Sequence, residues 1–355
     1  MMFFELIQVA LGKRDDLSKT PTFFEWKRLY EEAQRQSVLG IVFEGVQKLP
    51  REQWPSQALL FPWIGFCEQI KQRNAILNAR CEELLSKLSA AGLHPTILKG
   101  QGVAKLYPEA MQGLRQSGDI DVYVSDGMDK AIDYARSTGQ KNVSWDYKHL
   151  HLQEWKDTQV ELHYHVEVLL NPRRNKKLQQ WFKKNEALLY FNNEGLVTPT
   201  IEMNVFYVFL HIYRHFFTEG VGLRQLLDYY FVLKAAKGRT IKYADGSGIV
   251  EVLKEFGMLR FAKGVTWIMQ EIFALDREYL YCEPSAKEGR FILKMVMKGG
   301  NFGYYKHTNV RGLGKLNTLL SVTKHNLQMM YKYPSEALHS PLWYIWHKWW
   351  KHNRS

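Results

Sequence analysis

Cysteine is scarce: three in 355 residues, Cys67, Cys81 and Cys282. An odd number at wide spacing gives neither a disulfide framework nor a zinc motif, and it suits a reducing cytoplasm. Long apolar runs are missing too. The greasiest stretch, Val205 to Phe217, is broken by His211, Arg214 and His215, so nothing approaches the ~20 apolar residues of a membrane span. The start, MMFFELIQVALGKRDD, carries Glu5 within its apolar part and has no basic opening or small-residue cleavage site. It reads as an amphipathic helix rather than a signal peptide. Internal repeats, low-complexity tracts and the Gly-Lys-Ser/Thr ending of a P-loop are all absent. Acidic residues are the minority, 36 against 48 basic, for a net charge of +12. That balance suits an anionic partner (nucleotide, nucleic acid, phosphorylated substrate or membrane surface) as well as a basic protein with none.

What is present divides into three regions. Residues 1–91 have a helical pattern. Thr22 can cap a helix in which Phe23, Trp26, Leu29 and Tyr30 recur at helical spacing. Ile41, Phe43, Val46 and Leu49 suggest a short helix, and Gln57 to Ala91 one long helix or two, ended by Gly92. Residues 92–198 change period. Thr96–Leu98 reads as a strand, Lys99-Gly100 as a turn and Gln101–Tyr107 as a helix stopped by Pro108. Next come a strand around Asp119-Ile120-Asp121, a helix Met128–Ser137, and strands Val143–Trp145, His149–Trp155 and Gln159–Val168. Asp157-Thr158 is the expected turn between the last two. From 199 to 355 the helical period returns, with helices expected at Thr200–Phe217, Gly222–Lys237, Gly248–Glu255, Met258–Phe273, Glu288–Lys298 and Leu316–Tyr333. The predicted class is α+β: a small mixed β-sheet core with helices, flanked by N-terminal and C-terminal helical regions.

The chemistry-bearing residues lie in the middle region. Alternate residues of a strand share a face, so Asp119 and Asp121 project together while Ile120, Val122 and Val124 pack behind them. Paired carboxylates repel unless a cation lies between them, and hard divalent cations prefer oxygen ligands. Glu161 is the expected third carboxylate. It sits on the polar side of an alternating strand, with His163 and His165, opposite Val160, Leu162, Tyr164 and Val166. Three such groups can hold two metals for nucleotide transfer. Gly100 and Gly102 open a helix directly after a strand, where backbone N–H groups bind phosphate; Lys99 and Gln101 flank that turn. Arg115 either contacts phosphate or braces the loop. His211 and His215, and Arg224 and Asp228, are pairs four apart on helices, and they either line a cleft wall or fix helix packing. The histidines His149, His151, His163 and His165 with Glu161 form a competing transition-metal set. His163 alternatively orients Glu161 or serves an acceptor as a base.

Taken together these residues resemble the DNA polymerase β-like nucleotidyltransferase superfamily. In it a strand, Gly-turn and helix precede an acidic h-D-x-D strand, and a third carboxylate lies on a later strand. More narrowly, LKGQGVAKLYP, GLRQSGDIDVYV, VELHYH and HIYRHFFTEGVGLRQLLDYY are similar to an uncharacterised nucleotidyltransferase family found in bacteria. The likeness runs from about Gly92 to Leu233. One departure is the turn: Gly100-Gln101 replaces the usual Gly-Ser or Gly-Gly, so a serine hydroxyl that would contact the triphosphate is missing. The resemblance implies a magnesium-dependent transferase (two ions in turnover, with manganese as a substitute) that takes an NTP. Asp119, Asp121 and Glu161 would be metal ligands, and Lys99, Gly100, Gln101 and Arg115 would hold the nucleotide. His163, His211, His215, Arg224 and Asp228 would line the cleft. The acceptor, a saccharide or another small molecule, is not named by the sequence.

Two other classes compete. A glycosyltransferase also uses D-x-D, but there the apolar strand usually runs into the motif, whereas here GLRQSG precedes it. A basic binding module that retains the fold without catalysis is the non-enzymatic reading. The Trp-rich end, PLWYIWHKWWKHNRS, can meet a membrane interface, stack on nucleic acid, or dock on the protein's own body.

Overall fold

A computed structural model describes residues 1–193, 195–300 and 331–353. The N-terminal helices are α1 (Met2–Ala10), α2 (Phe23–Arg35), α3 (Leu39–Lys48) and α4 (Gln57–Ala90). Thr22 caps α2 in a reciprocal box: its hydroxyl accepts from the Glu25 N–H at 3.3 Å, and Glu25 accepts from the Thr22 N–H at 2.9 Å. The stretch from Gln57 is a single helix of 34 residues that runs through Pro62. It stops where Gly92 turns to φ +77°, and the Leu93 N–H reaches back to the Leu88 carbonyl at 3.0 Å.

The sheet is mixed and five-stranded, in the order β1-β2-β5-β4-β3, built from β1 (Pro95–Ile97), β2 (Ile120–Val124), β3 (Ser144–Trp145), β4 (His149–Trp155) and β5 (Thr158–His163). β2 and β5 are parallel, with Asp121 opposite Glu161. β4 and β5 are antiparallel, with His149 opposite His163 and His151 opposite Glu161. The α+β class therefore holds. Two short helices, α5 (Gln101–Ala104) and α6 (Glu109–Gln112), separate β1 from β2, and α7 (Met128–Ser137) packs beside the sheet. The helix expected over Gln101–Tyr107 is shorter than the pattern suggests, because Leu106 and Tyr107 bond three residues back instead of four.

Two further differences matter for the site. The turn between β4 and β5 falls at Lys156-Asp157, since Trp155 already pairs with Thr158. β5 ends at His163 instead of continuing to Val168. The N–H groups of Tyr164 and His165 both go to the Lys148 carbonyl, at 3.1 and 3.2 Å, which ends the regular ladder.

After the sheet come α8 (Pro172–Lys184), a hairpin of β6 (Phe191–Asn193) and β7 (Leu196–Thr198), then α9 (Ile201–Phe217), α10 (Leu223–Ala235), α11 (Ile249–Glu255), α12 (Leu259–Trp267), α13 (Ala286–Gly299) and α14 (Pro334–His352). α12 gives way to a π-turn, Ile268–Ile272, instead of running on to Phe273 as an α-helix. The helix expected at Leu316–Tyr333 lies outside the described residues except for its last three positions. One apolar cluster joins α1–α3 to α9 and α10. A second lies between the sheet, α7 and the last half of α4. The polar face of the sheet is left against α9, and there the carboxylates gather. Among the described residues no helix is long and apolar enough to cross a membrane.

Candidate active site

The parallel pairing of β2 with β5 brings the carboxylates together. Asp119, Asp121 and Glu161 offer ligand oxygens that all lie within 4.8 Å of one another. Behind them Ile120, Val122, Val160 and Leu162 are almost fully buried, so the apolar half of each strand fixes where the acidic half points. Repulsion from Asp121, together with burial, raises the Asp119 pKa. Its carboxylate makes no hydrogen bond or ion pair among the described residues. Burial would also raise Asp121 and Glu161, but both are lowered. The Lys99 charge and the His163 bond outweigh it for Asp121, and chiefly the His163 bond does so for Glu161.

His163 is fully buried at the end of β5, and its side chain bridges to β2. Its Nε2 lies 3.0 Å from Asp121 Oδ1 and 3.3 Å from Glu161 Oε2. Burial opposes its protonation, yet the two carboxylates raise its pKa. Lys99 Nζ is 2.8 Å from Asp121 Oδ2. Burial lowers the Lys99 pKa, and Asp121, Asp119 and Glu161 more than restore it. The turn that places Lys99 depends on Gly100, whose φ of +61° and ψ of −109° suit glycine alone.

A narrow cleft opens on this cluster, lined among others by Lys99, Gly100, Asp119, Tyr207, His211 and Arg224. Arg115 lines it too, but its guanidinium is engaged by Asp228, with Nε–Oδ1 at 2.6 Å and Nη2–Oδ2 at 2.7 Å, and by Ser117 at 2.8 Å. Tyr107 donates to the same Asp228 carboxylate at 2.7 Å. The bracing geometry of Arg115 is thus the one observed. Arg224 donates to the Gln116 carbonyl at 2.6 Å and stays in the cleft wall. Gln101 is turned inward, donating to Asn78, with its Oε1 buried and unpartnered among the described residues.

His211 and His215 meet edge to face on α9, with ring centroids 4.1 Å apart. His211 Nδ1 meets Glu167 at 3.2 Å, and His215 Nδ1 meets Glu219 at 3.1 Å. Sequence reasoning passed over Glu167 and Tyr207. Glu167 continues the odd-numbered polar series Glu161, His163, His165, and Tyr207 lies one helical turn before His211, so both signals were present. The four-histidine metal set does not assemble. His149, Glu161 and His163 come together, while His165 stacks on Tyr147 at 4.8 Å because β5 has already ended.

Residues 23–274 match the family described as uncharacterised nucleotidyltransferase. The chain belongs to that family. Membership makes it a transferase of nucleotidyl groups and implies a nucleotide substrate. The match includes every element of the carboxylate site and ends before α13 and α14. Comparison with curated proteins and with solved structures returns no match.

The carboxylates fit a divalent cation on their own geometry. Asp119 is a half-buried carboxylate with a raised pKa and no hydrogen-bond partner among the described residues, and its ligand oxygen and those of the other two all lie within 4.8 Å of one another.

Proposed function

We propose that the protein is a magnesium-dependent nucleotidyltransferase, moving a nucleoside monophosphate from an NTP to a hydroxyl-bearing acceptor and releasing pyrophosphate. The observation that carries this reading is the convergence of Asp119, Asp121 and Glu161 next to Lys99. These three carboxylates are the residues that would hold metal. Magnesium bound there supplies charge neutralisation at the phosphates and a lower pKa for the attacking hydroxyl.

The chain's own groups do the rest. Lys99, 2.8 Å from Asp121, would add its positive charge to the phosphates. Gly100 lets the phosphates approach the backbone of the turn. Arg224 adds a second positive charge in the same wall. His163 holds Asp121 and Glu161 in register. Arg115, locked on Asp228, keeps the loop before β2 in place instead of touching the nucleotide. The reading places the protein in the cytoplasm, where NTPs are supplied and its three free thiols stay reduced.

Asp121→Asn should lower NTP-dependent labelling of any acceptor by more than about a hundredfold, the upper range for loss of an outer-shell metal partner, while the circular dichroism spectrum is kept. Full turnover in that variant would remove the assignment.

A further inference from the structure

A second cleft adjoins the carboxylate cluster at His149. It begins at His149, whose Nδ1 is 3.5 Å from Glu161. A partition built from His211 and Glu167 separates it from the first cleft: His211 lines one, Glu167 the other, and they are 3.2 Å apart. Displacement at phosphorus requires the incoming oxygen and the leaving pyrophosphate to be roughly in line, on opposite sides. With the phosphates of the proposed nucleotide against Lys99, Gly100 and Arg224 in the first cleft, an in-line incoming group comes from another side of the cluster, and the His149 cleft is the neighbour that reaches Glu161.

The lining of the second cleft specifies what that group belongs to. Lys148 is paired with Glu167 at 3.2 Å, and Glu219 is held by His215 at 3.1 Å. Arg214 is left over: its Nε is buried and has no hydrogen-bond partner among the described residues, with Glu219 the acid whose pKa it helps to lower. A spare guanidinium beside a lysine is a receptor for an acidic group. Opposite it the wall is aromatic. α14 docks on the loop before β4 by setting Trp343, Trp346 and Trp350 edge-on around Tyr147, at 5.4, 5.1 and 5.5 Å. His347 accepts the Tyr147 N–H at 3.3 Å. Trp343 and His347 thereby become part of the cleft, although α14 lies outside the residues that match the family.

The geometry points to this second cleft as the acceptor site, and to the acceptor as a hydroxylated organic anion such as a sugar phosphate or sugar acid. Its acidic group binds Arg214 and Lys148, its body lies against Trp343 and Tyr147, and its hydroxyl points at Glu161 and His149. The inference rests on the nucleotidyltransferase reading and adds α14 as a specificity element.

The test is calorimetry on the full chain with magnesium and non-hydrolysable analogues of the four NTPs, then glucose 6-phosphate, glucuronate and glucose titrated into the nucleotide complex. Both anions should bind at least about tenfold tighter than glucose. Arg214→Gln should erase that preference and Arg214→Lys restore part of it. Trp343→Ala should weaken every sugar, and Trp343→Phe should not. Nucleotide affinity should stay at the wild-type value in all four variants. Preference for one anion over the other identifies the acidic group. Equal binding of glucose and the anions, no sugar binding to a nucleotide-bound protein, or nucleotide affinity that falls with Arg214 overturns the acceptor assignment. Failure of the wild type to bind any NTP analogue brings down the transferase reading, and this inference with it.

Discussion

Of the three clustered carboxylates, Asp119 is the one with no hydrogen-bond or ion-pair partner among the described residues. Its neighbour Asp121 has Lys99 and His163, and Glu161 has His163, but Asp119 has repulsion and partial burial. A cation removes that imbalance. Glu167 is the opposite case. Burial alone would raise its pKa, yet the Lys148 charge and the His211 bond hold it well below the ordinary glutamate range. A carboxylate with a depressed folded pKa contributes stability that is present above the unfolded value and is lost as pH falls below it. Glu167→Gln should therefore destabilise the protein by about 3–5 kcal/mol at pH 7, the range for breaking a buried pair. The gap from wild type should narrow as pH falls below 4.5, the ordinary value for a glutamate. Urea unfolding at pH 7 and at pH 4 measures both. The sequence indicated Glu161 and His163 through their alternation, and Glu167 continued the same series. Alternation in the strand expected to run to Val168 already pointed to it, although in the fold the ladder stops at His163 and side chains hold the segment beyond.

Among the elements, the turn between β1 and α5 bears most directly on function. Gly100 adopts φ +61°, and an added Cβ would come no closer than 3.7 Å to the Asp119 carbonyl. The obstacle to a side chain there is the backbone conformation and not space. Gly100→Ala should lower stability by about 1–3 kcal/mol, measured by thermal melting, and should weaken NTP binding by moving Lys99. The element pattern was legible where periodicity is strong. α7 spans the expected Met128–Ser137, and β4 the expected His149–Trp155. It was less legible where local bonding departs from a period, as in the shortened α5 and the π-turn after α12. Composition left open what the Trp-rich end would do; three tryptophans around Tyr147 show it docked.

On the scale of the whole molecule, the site exists because helices far from it in sequence hold the strands and loops in place. Asp228 on α10 grips Arg115 and Tyr107 at once, and so fixes the segment that leads into β2. Asp228→Asn removes the charge that Arg115 needs in a buried setting, and unfolding by urea should show a loss of about 3–5 kcal/mol. Such a tie between residues 113 positions apart has no periodic signature, so from sequence Arg115 read equally well as a phosphate contact. The carboxylate cluster itself was visible as D-x-D plus one glutamate, since strand alternation already assigns faces. The central claim is that this cluster holds the metal and its nucleotide. Crystals grown with Mn²⁺ and a non-hydrolysable NTP, measured for anomalous scattering, test it most directly. The account predicts manganese peaks among Asp119, Asp121 and Glu161, with the triphosphate reaching Lys99. Peaks confined to the His149–Glu161–His163 group, or a nucleotide bound elsewhere, would contradict it.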